Sequence, residues 1–333
     1  MINNYLSSFI FILFSFILNS VAVAQAGNWI QFDTTNCGLP SNTIRCVTQD
    51  PAGNYWIGTW DKGLVKYDGK NWSVFNKENS PLPHNCVYSI AFNNGHIYIG
   101  TMGGGLAVFD GNSEWKVFNE KNSGIPQDWI YSVAFDKQSN IWVGTFSNGL
   151  GVFENGNWTI YDKTNSILID NKVTYIYIDD NNNKYLATQG ELAFIIDGVW
   201  KSESDLNVDS LSYVAYWISE TSDKNKLISY KYGDLVLFDG LTFKSLNKGN
   251  PPIPIQGFYS AVEDKNKKIW AGSFGEGIII YDFNKCIHWN KSNSPLKDNF
   301  VFNVFVDSYN NKWISTYFGG IAIYNEDEIR FSK

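Results

Sequence analysis

The chain has 333 residues, 44% of them hydrophobic and 17% aromatic, with 13 tryptophans, which is ample for a core in one large domain or two ordinary ones. Lys and Arg total 26 against 33 Asp and Glu, a net charge of −7, and the only arginines are Arg45 and Arg330. A nucleic-acid binder needs a basic face and usually arginine forks for bases and phosphates, so that class is set aside.

Residues 1–26 read as a separate segment. Phe9–Leu18 is almost wholly apolar, and Ala22-Val23-Ala24 and Ala24-Gln25-Ala26 both offer the small-x-small pattern of a signal-peptidase site, although the residues before them lack Lys and Arg. The run is shorter than the ~20 residues of a bilayer span, and no Cys follows the small residues to carry a lipid. A signal peptide is expected over 1–26. The mature chain would begin near Gln25 or Gly27, be exported to the periplasm or beyond, and keep no membrane span. Export permits disulfides. Cys37, Cys46, Cys86 and Cys286 show no metal-like spacing and share no repeat position; Cys286 stands where other copies carry Trp72 or Trp115, as a small buried apolar residue would.

From there on the chain repeats. The unit is clearest around Asn140–Trp158. Ile141–Thr145 is aromatic and β-branched, a Gly-bearing turn (Ser147–Gly149) follows, then Leu150–Phe153, then Asn155-Gly156, then Trp158–Tyr161. Asn-Gly between apolar runs signals a hairpin, because both residues tolerate the positive φ of a type I′ turn. Ahead of these lies a nearly continuous apolar strand, Tyr131–Phe135, matched by Tyr88–Phe92 and Phe302–Val306. Such runs predict strands covered on both faces.

The outer-strand motif recurs at Trp29, Trp72, Trp115, Trp158, Trp200, Phe243, Cys286 and Ile329, 42 or 43 residues apart. The second-strand motif recurs at Trp56, Tyr98, Trp142, Tyr185, Leu227, Trp270 and Trp313. A fixed period of this length means a solenoid or a propeller, and four short strands per unit select the propeller. The expected fold is all-β, a seven-bladed β-propeller of four-stranded antiparallel blades, in one domain over 27–333. The second-strand aromatics are then inter-blade packing.

Seven inner triplets face eight outer strands. Either Trp29–Phe32 crosses the ring to pair with Ile321–Tyr324, or Ile329–Phe331 supplies the last strand. The first is preferred, since Trp29 carries the aromatic and the crossing loop Leu39-Pro40-Ser41-Asn42 stands intact behind it. Leu186–Asp239 is eroded: Leu227-Ile228-Ser229 replaces Trp-Ile-Gly and Lys201–Asp209 is polar, through drift or through contact with a partner.

Asn54-Tyr55-Trp56-Ile57-Gly58-Thr59, continuing through Gly63-Leu64 to Tyr67-Asp68-Gly69 with Ser80-Pro81-Leu82-Pro83 downstream, resembles the two-component regulator propeller repeat. Ile141–Phe153 and Ile269–Asp282 are similar copies, and the resemblance covers about Trp29–Phe331. It implies a periplasmic sensor propeller of the kind found in hybrid histidine kinases that respond to glycans. The sequence departs from that architecture after Phe331, where no immunoglobulin-like segment, spanning helix or kinase follows; a free-standing exported propeller is the expectation.

A propeller binds at its axial mouth. Just after the Gly-Thr pairs stand Trp60, Met102, Phe146, Gln189, Phe274 and Tyr317, one per blade, with Trp129, Phe258 and Phe300 expected to rise beside them. Exposed aromatics so arranged offer stacking platforms for sugar rings or an apolar patch for a protein; the alternative is that each packs on the neighbouring blade. A second ring of amides and acids, Asn42, Asn85, Asp128, Asn171, Gln256 and Asn299, precedes the first strands. These either recognise hydroxyls or satisfy their own loop's backbone donors. The Asp/Asn turns Asp136–Asn140, Asp179–Asn183 and Asp307–Asn311 lack the terminal Glu and rigid Gly of a calcium loop and read as hairpin turns.

Catalysis lacks its usual residues. His84 lies in a crossing loop, His96 in a turn on the opposite face and His288 in an outer strand, so no histidine acid–base pair or zinc site forms. Neither cofactor nor metal is expected. The reading is a non-catalytic propeller that binds a glycan, or an exported or membrane protein, at the mouth through Trp60, Met102, Trp129, Phe146, Phe274 and Tyr317 with Asn85, Asp128 and Asn299. The alternatives are a polysaccharide hydrolase or lyase using the crossing-loop carboxylates Asp128, Asp170 and Asp298, and a structural or adhesive module docking through Leu206–Leu211.

Overall fold

The repeats fold into seven four-stranded antiparallel sheets in a computed structural model that describes residues 28–206 and 214–331. The expected signal peptide lies outside the described residues, as does most of the Leu206–Leu211 surface. Blade 3 shows the plan: Ile130–Phe135, Ile141–Thr145, Leu150–Glu154 and Asn157–Tyr161 pair in sequence order from the axis outward. Asn155 and Gly156 both take positive φ, 50° and 85°, as the two-residue turn requires. The other blades span 44–75, 87–118, 173–202, 215–245, 258–289 and 301–325.

Blade 7 takes its outer strand from the other end of the chain. Asn28–Phe32 pairs antiparallel with Ile321–Asn325, Trp29 opposite Tyr324 and Phe32 opposite Ile321. The clasp therefore uses Trp29–Phe32. Ile329 and Phe331 form no strand and pack on the apolar cluster beside it.

The core is divided among the interfaces. Seven apolar clusters each draw residues from two adjacent blades, because a sheet of this kind has two apolar faces and only neighbouring sheets can cover them. Trp56, Trp142, Tyr185, Leu227, Trp270 and Trp313 are all buried there, at ~1.5–3 kcal/mol for each large side chain. Four of the indoles donate Nε1–H to the aspartate of their own blade's first turn: Trp56 to Asp50 (2.8 Å), Trp142 to Asp136 (3.1 Å), Trp270 to Asp264 (2.9 Å) and Trp313 to Asp307 (2.9 Å). Those aspartates also cap the turn backbone, as Asp136 does for Asn140 N–H at 2.9 Å. Their oxygens serve the hairpins. Lys312, wholly buried, extends this link between blades, its Nζ 3.0 Å from Asp264 and also paired with Glu326.

At the mouth-side end, the Gly149 N–H donates to the Asn171 carbonyl of the next blade (2.8 Å), and Gly63, Gly105, Gly277 and Gly320 make the same link to Asn85, Asp128, Asn299 and Asn42. The last of these joins blade 7 to the loop before blade 1. The four cysteines are free thiols; burial pushes those of Cys46 and Cys86 up to about 12.

Candidate site at the channel mouth

Each innermost strand breaks register at its second residue: between Ile44 and Cys46, Val87 and Ser89, Ile130 and Ser132, Val173 and Tyr175, Ala215 and Trp217, Phe258 and Ser260, and Val301 and Asn303. A bulge leaves its extra residue unpaired and re-aims that side chain. The seven residues so placed are Arg45, Tyr88, Tyr131, Thr174, Tyr216, Tyr259 and Phe302. Arg45, Tyr88, Tyr131, Tyr216, Tyr259 and Phe302 line both an outer cavity of about 400 Å³ and a deeper channel cavity of about 360 Å³. They are the shared wall, a waist between the mouth and the channel.

The first strands are thus not covered on both faces, contrary to the sequence expectation. Their second position is half-buried in every blade but the fourth, where Thr174 is buried and donates to the Ala215 carbonyl (2.8 Å). The residue after the bulge reaches sideways instead: Ser132 Oγ accepts from Ile176 N–H (3.0 Å) and Ser260 Oγ from Val304 N–H (3.0 Å). The waist is tied to the ring by these bonds.

The waist is aromatic, and its phenols converge. Tyr88 and Tyr131 meet edge to face at 4.7 Å. Burial raises the hydroxyl pKa of Tyr88, Tyr131 and Tyr259, so these phenols stay neutral donors and acceptors. Tyr259 edges against Phe302 at 4.6 Å.

Three cations sit among these rings. The Arg45 guanidinium lies 4.2 Å from the Tyr88 ring centre, 4.4 Å from Phe302 and 5.6 Å from Trp60. Lys172 lies over Tyr131 and Phe146, Lys231 over Tyr216 and Phe274, at 5.0–5.5 Å. Burial, and then the charge of Lys231, lowers the pKa of Lys172. Lys231 occupies in blade 5 the position that Trp60, Phe146 and Tyr317 hold elsewhere, its N–H donating to the start of the inner strand as theirs do.

Of the sequence candidates, Trp60 and Tyr317 line the outer cavity together with Phe300 and the exposed Phe318. Trp129 and Phe146 stack on each other at 4.2 Å and 10°, and Phe274 stacks on Tyr259. These three pack behind the waist tyrosines. Met102 pairs with Trp129 through an isolated bridge. Phe258 does not rise to the mouth: it is fully buried in the blade 5–6 core, and Gly257 holds the position expected for it.

Asn85, Asp128 and Asn299 each accept, through a side-chain oxygen, the backbone N–H eight residues earlier: Lys77, Glu120 and Lys291 at 2.8–2.9 Å. Asn42 and Asn171 do the same. Gln256 differs, donating to Asp234 (3.1 Å). Asp170 and Asp298 cap Lys172 N–H and Phe300 N–H, and Asp298 also takes Phe318 N–H.

Sequence reasoning passed over the waist itself. Residues 45, 88, 131, 174, 216, 259 and 302 keep the period of the outer tryptophans, so the signal was a column of the repeat that holds four tyrosines, one phenylalanine, one threonine and one arginine.

The two component regulator propeller family model matches residues 38–61 and 124–147. No curated protein matches the chain by sequence. Among solved structures, it is similar to the extracellular domain of a protein described as a hybrid two component system from B. thetaiotaomicron (22% identity, 90% of this chain, TM-score 0.75). A second such domain from that organism matches at 22% identity over 90% of this chain, TM-score 0.73. This chain spans 42% and 40% of those domains' lengths. Virginiamycin B lyase from Staphylococcus aureus matches at 11% identity, over 90% of this chain and 99% of the lyase, TM-score 0.70. At such identities the likeness is one of fold. No helix among the described residues is long and apolar enough to cross a membrane.

Proposed function

We propose that the chain is an exported, non-catalytic propeller of the sensor type that binds a glycan or a protein at the mouth of its channel. One observation carries the reading: the same bulge in each blade turns a side chain to the axis, and five of the seven are the aromatics Tyr88, Tyr131, Tyr216, Tyr259 and Phe302. Rings with neutral hydroxyls offer flat faces for stacking and polar tips for orientation. An outer cavity of about 400 Å³ falls in the range of sites that enclose a small ligand or one end of a larger one. The family match and the likeness to extracellular sensor domains support a sensing role outside the cytoplasm.

Catalysis by crossing-loop carboxylates gains no support from the geometry. Asp128, Asp170 and Asp298 are each engaged with loop backbone N–H groups. His84 and His96 belong to blade 2 and its preceding loop, and His288 to the outer strand of blade 6, so a lyase-type histidine pair has no place to form.

The test uses two residues at the rim. Trp60 and the exposed Phe318 both line the outer cavity, and neither belongs to a buried cluster. Screening the protein against a glycan array and against exported proteins, then repeating with Trp60→Ala and Phe318→Ala, should show binding weakened about tenfold or more. Binding unchanged in both variants would move the site away from the mouth.

A further inference from the structure

Arg45 is the single departure in an otherwise neutral ring. Its guanidinium is approached by the ring faces of Tyr88 and Phe302, which stabilise the charge but accept no hydrogen bond in the plane of the fork. Its Nε is buried and has no hydrogen-bond partner among the described residues. Among the described residues Arg45 makes no ion pair. Asp298 accepts from Phe300 N–H and Phe318 N–H, and Asp61 from Ser41 Oγ. Around the same opening Lys172 and Lys231 lie over aromatic faces, without an ion pair among the described residues, and repel each other. In a chain of net charge −7, three cations thus stand over the aromatic rings of one mouth.

An arginine fork held between aromatic faces, with a buried donor unpaired, is complementary to a carboxylate, which it can take with two parallel N–H···O bonds. The surroundings select what carries that carboxylate. Flat ring faces and neutral phenol hydroxyls suit a sugar ring, whose faces stack and whose hydroxyls both donate and accept. We propose that Arg45 is the anion seat of an acidic-sugar site, in which a uronate carboxylate at one end of a glycan enters the waist onto Arg45 while Lys172 and Lys231 attract a second acidic residue at the rim. The proposal rests on the mouth being the binding site and names the ligand class of that site.

The probes are polygalacturonate, alginate and hyaluronan oligosaccharides, each beside its carboxyl-reduced neutral counterpart, titrated into the exported form of the chain at low salt by calorimetry. At least one acidic oligomer should bind and its reduced form should not. Arg45→Met should weaken that binding about thirtyfold, the loss expected for one charged hydrogen-bonded contact, with part restored in Arg45→Lys. Lys172→Met should weaken it less and flatten its salt dependence. The circular dichroism melt of Arg45→Met controls for folding, and the reduced oligomers test charge recognition without any substitution. If neutral oligomers bind as well as acidic ones and Trp60→Ala removes both, the mouth stands as the site and the anion seat falls. If acidic peptides bind and no saccharide does, the sugar class is overturned. If acidic oligomers bind but Trp60→Ala and Arg45→Met leave them unchanged, the mouth and the seat fall together.

Discussion

At Gly149 a Cβ would stand 2.1 Å from the carbonyl oxygen of Tyr161, and the residue holds φ +80°. The turn after the second strand has to pass that close to the end of the outer strand, because its N–H reaches across to Asn171 of the next blade. Gly63, Gly105, Gly277 and Gly320 meet the corresponding carbonyls of Phe75, Phe118, Trp289 and Phe32 at 2.1–2.2 Å, so the requirement belongs to the repeat. Gly156 separates the two penalties: it has a similar φ, +85°, but nothing within 4 Å of the added carbon. Gly156→Ala should therefore cost only the left-handed backbone term, about 1–2 kcal/mol. Gly149→Ala should cost that and the displacement of a strand end, roughly 3 kcal/mol or more in all. Denaturant titrations of both variants measure the difference; equal losses would show that the turn gives way without strain.

Asp33 follows the clasp strand Asn28–Phe32 and anchors it to blade 7's side of the ring. Hydrogen bonds from Lys297 and from Thr35 hold its carboxyl down to about 2, against about 4 for an unfolded aspartate. A carboxylate depressed by folding stabilises the fold fully above the unfolded value, and that contribution is lost as pH falls through the folded value. The clasp should weaken between about pH 4 and pH 2. Asp33→Asn should melt below the parent at pH 5, and the gap should narrow below pH 4 and close only as pH falls past about 2; a gap independent of pH would mean that the Lys297 pair is immaterial. At this scale much was legible from the residues. The Asn155-Gly156 turn and the 43-residue spacing placed every blade, and Trp29 identified the clasp. The bulges were not legible, because Tyr131–Phe135 reads equally as a strand covered on both faces and no glycine marks the extra residue. Arg45 escaped because a single arginine in a column of tyrosines looks like drift until the column is seen to face one axis. The ring of Asn85, Asp128 and Asn299 was found by its spacing, yet spacing cannot tell an oxygen offered to a ligand from one given to the loop backbone.

The whole ring is held shut by contacts between chain ends. Elsewhere an outer strand pairs with the strand just before it through a short turn, at little entropic cost. The clasp instead closes nearly the entire described chain, with Asn28 opposite Asn325. Such a closure cannot be favourable until most blades are stacked, because the entropy of bringing the ends together is met only when partners already stand in place. Clasp contacts should form after the folding transition state. Phe32 is the residue to probe, since its ring meets Tyr67 and Trp72 of blade 1, Trp313 of blade 7 and Phe331 of the tail, at 5.2–6.3 Å. Phe32→Ala should cost about 3 kcal/mol. With the contact absent from the transition state, nearly all of that loss falls on unfolding, which should quicken roughly a hundredfold while refolding barely slows. Phe153, whose ring packs on Phe118 and Trp158 at 5.1–5.4 Å, is part of a local hairpin and serves as the comparison, its loss dividing between the two rates. Stopped-flow chevrons of the two variants decide the matter. A Phe32→Ala protein that refolds slowly and unfolds at the parent's rate would place ring closure at the start of folding, with the blades stacking afterwards.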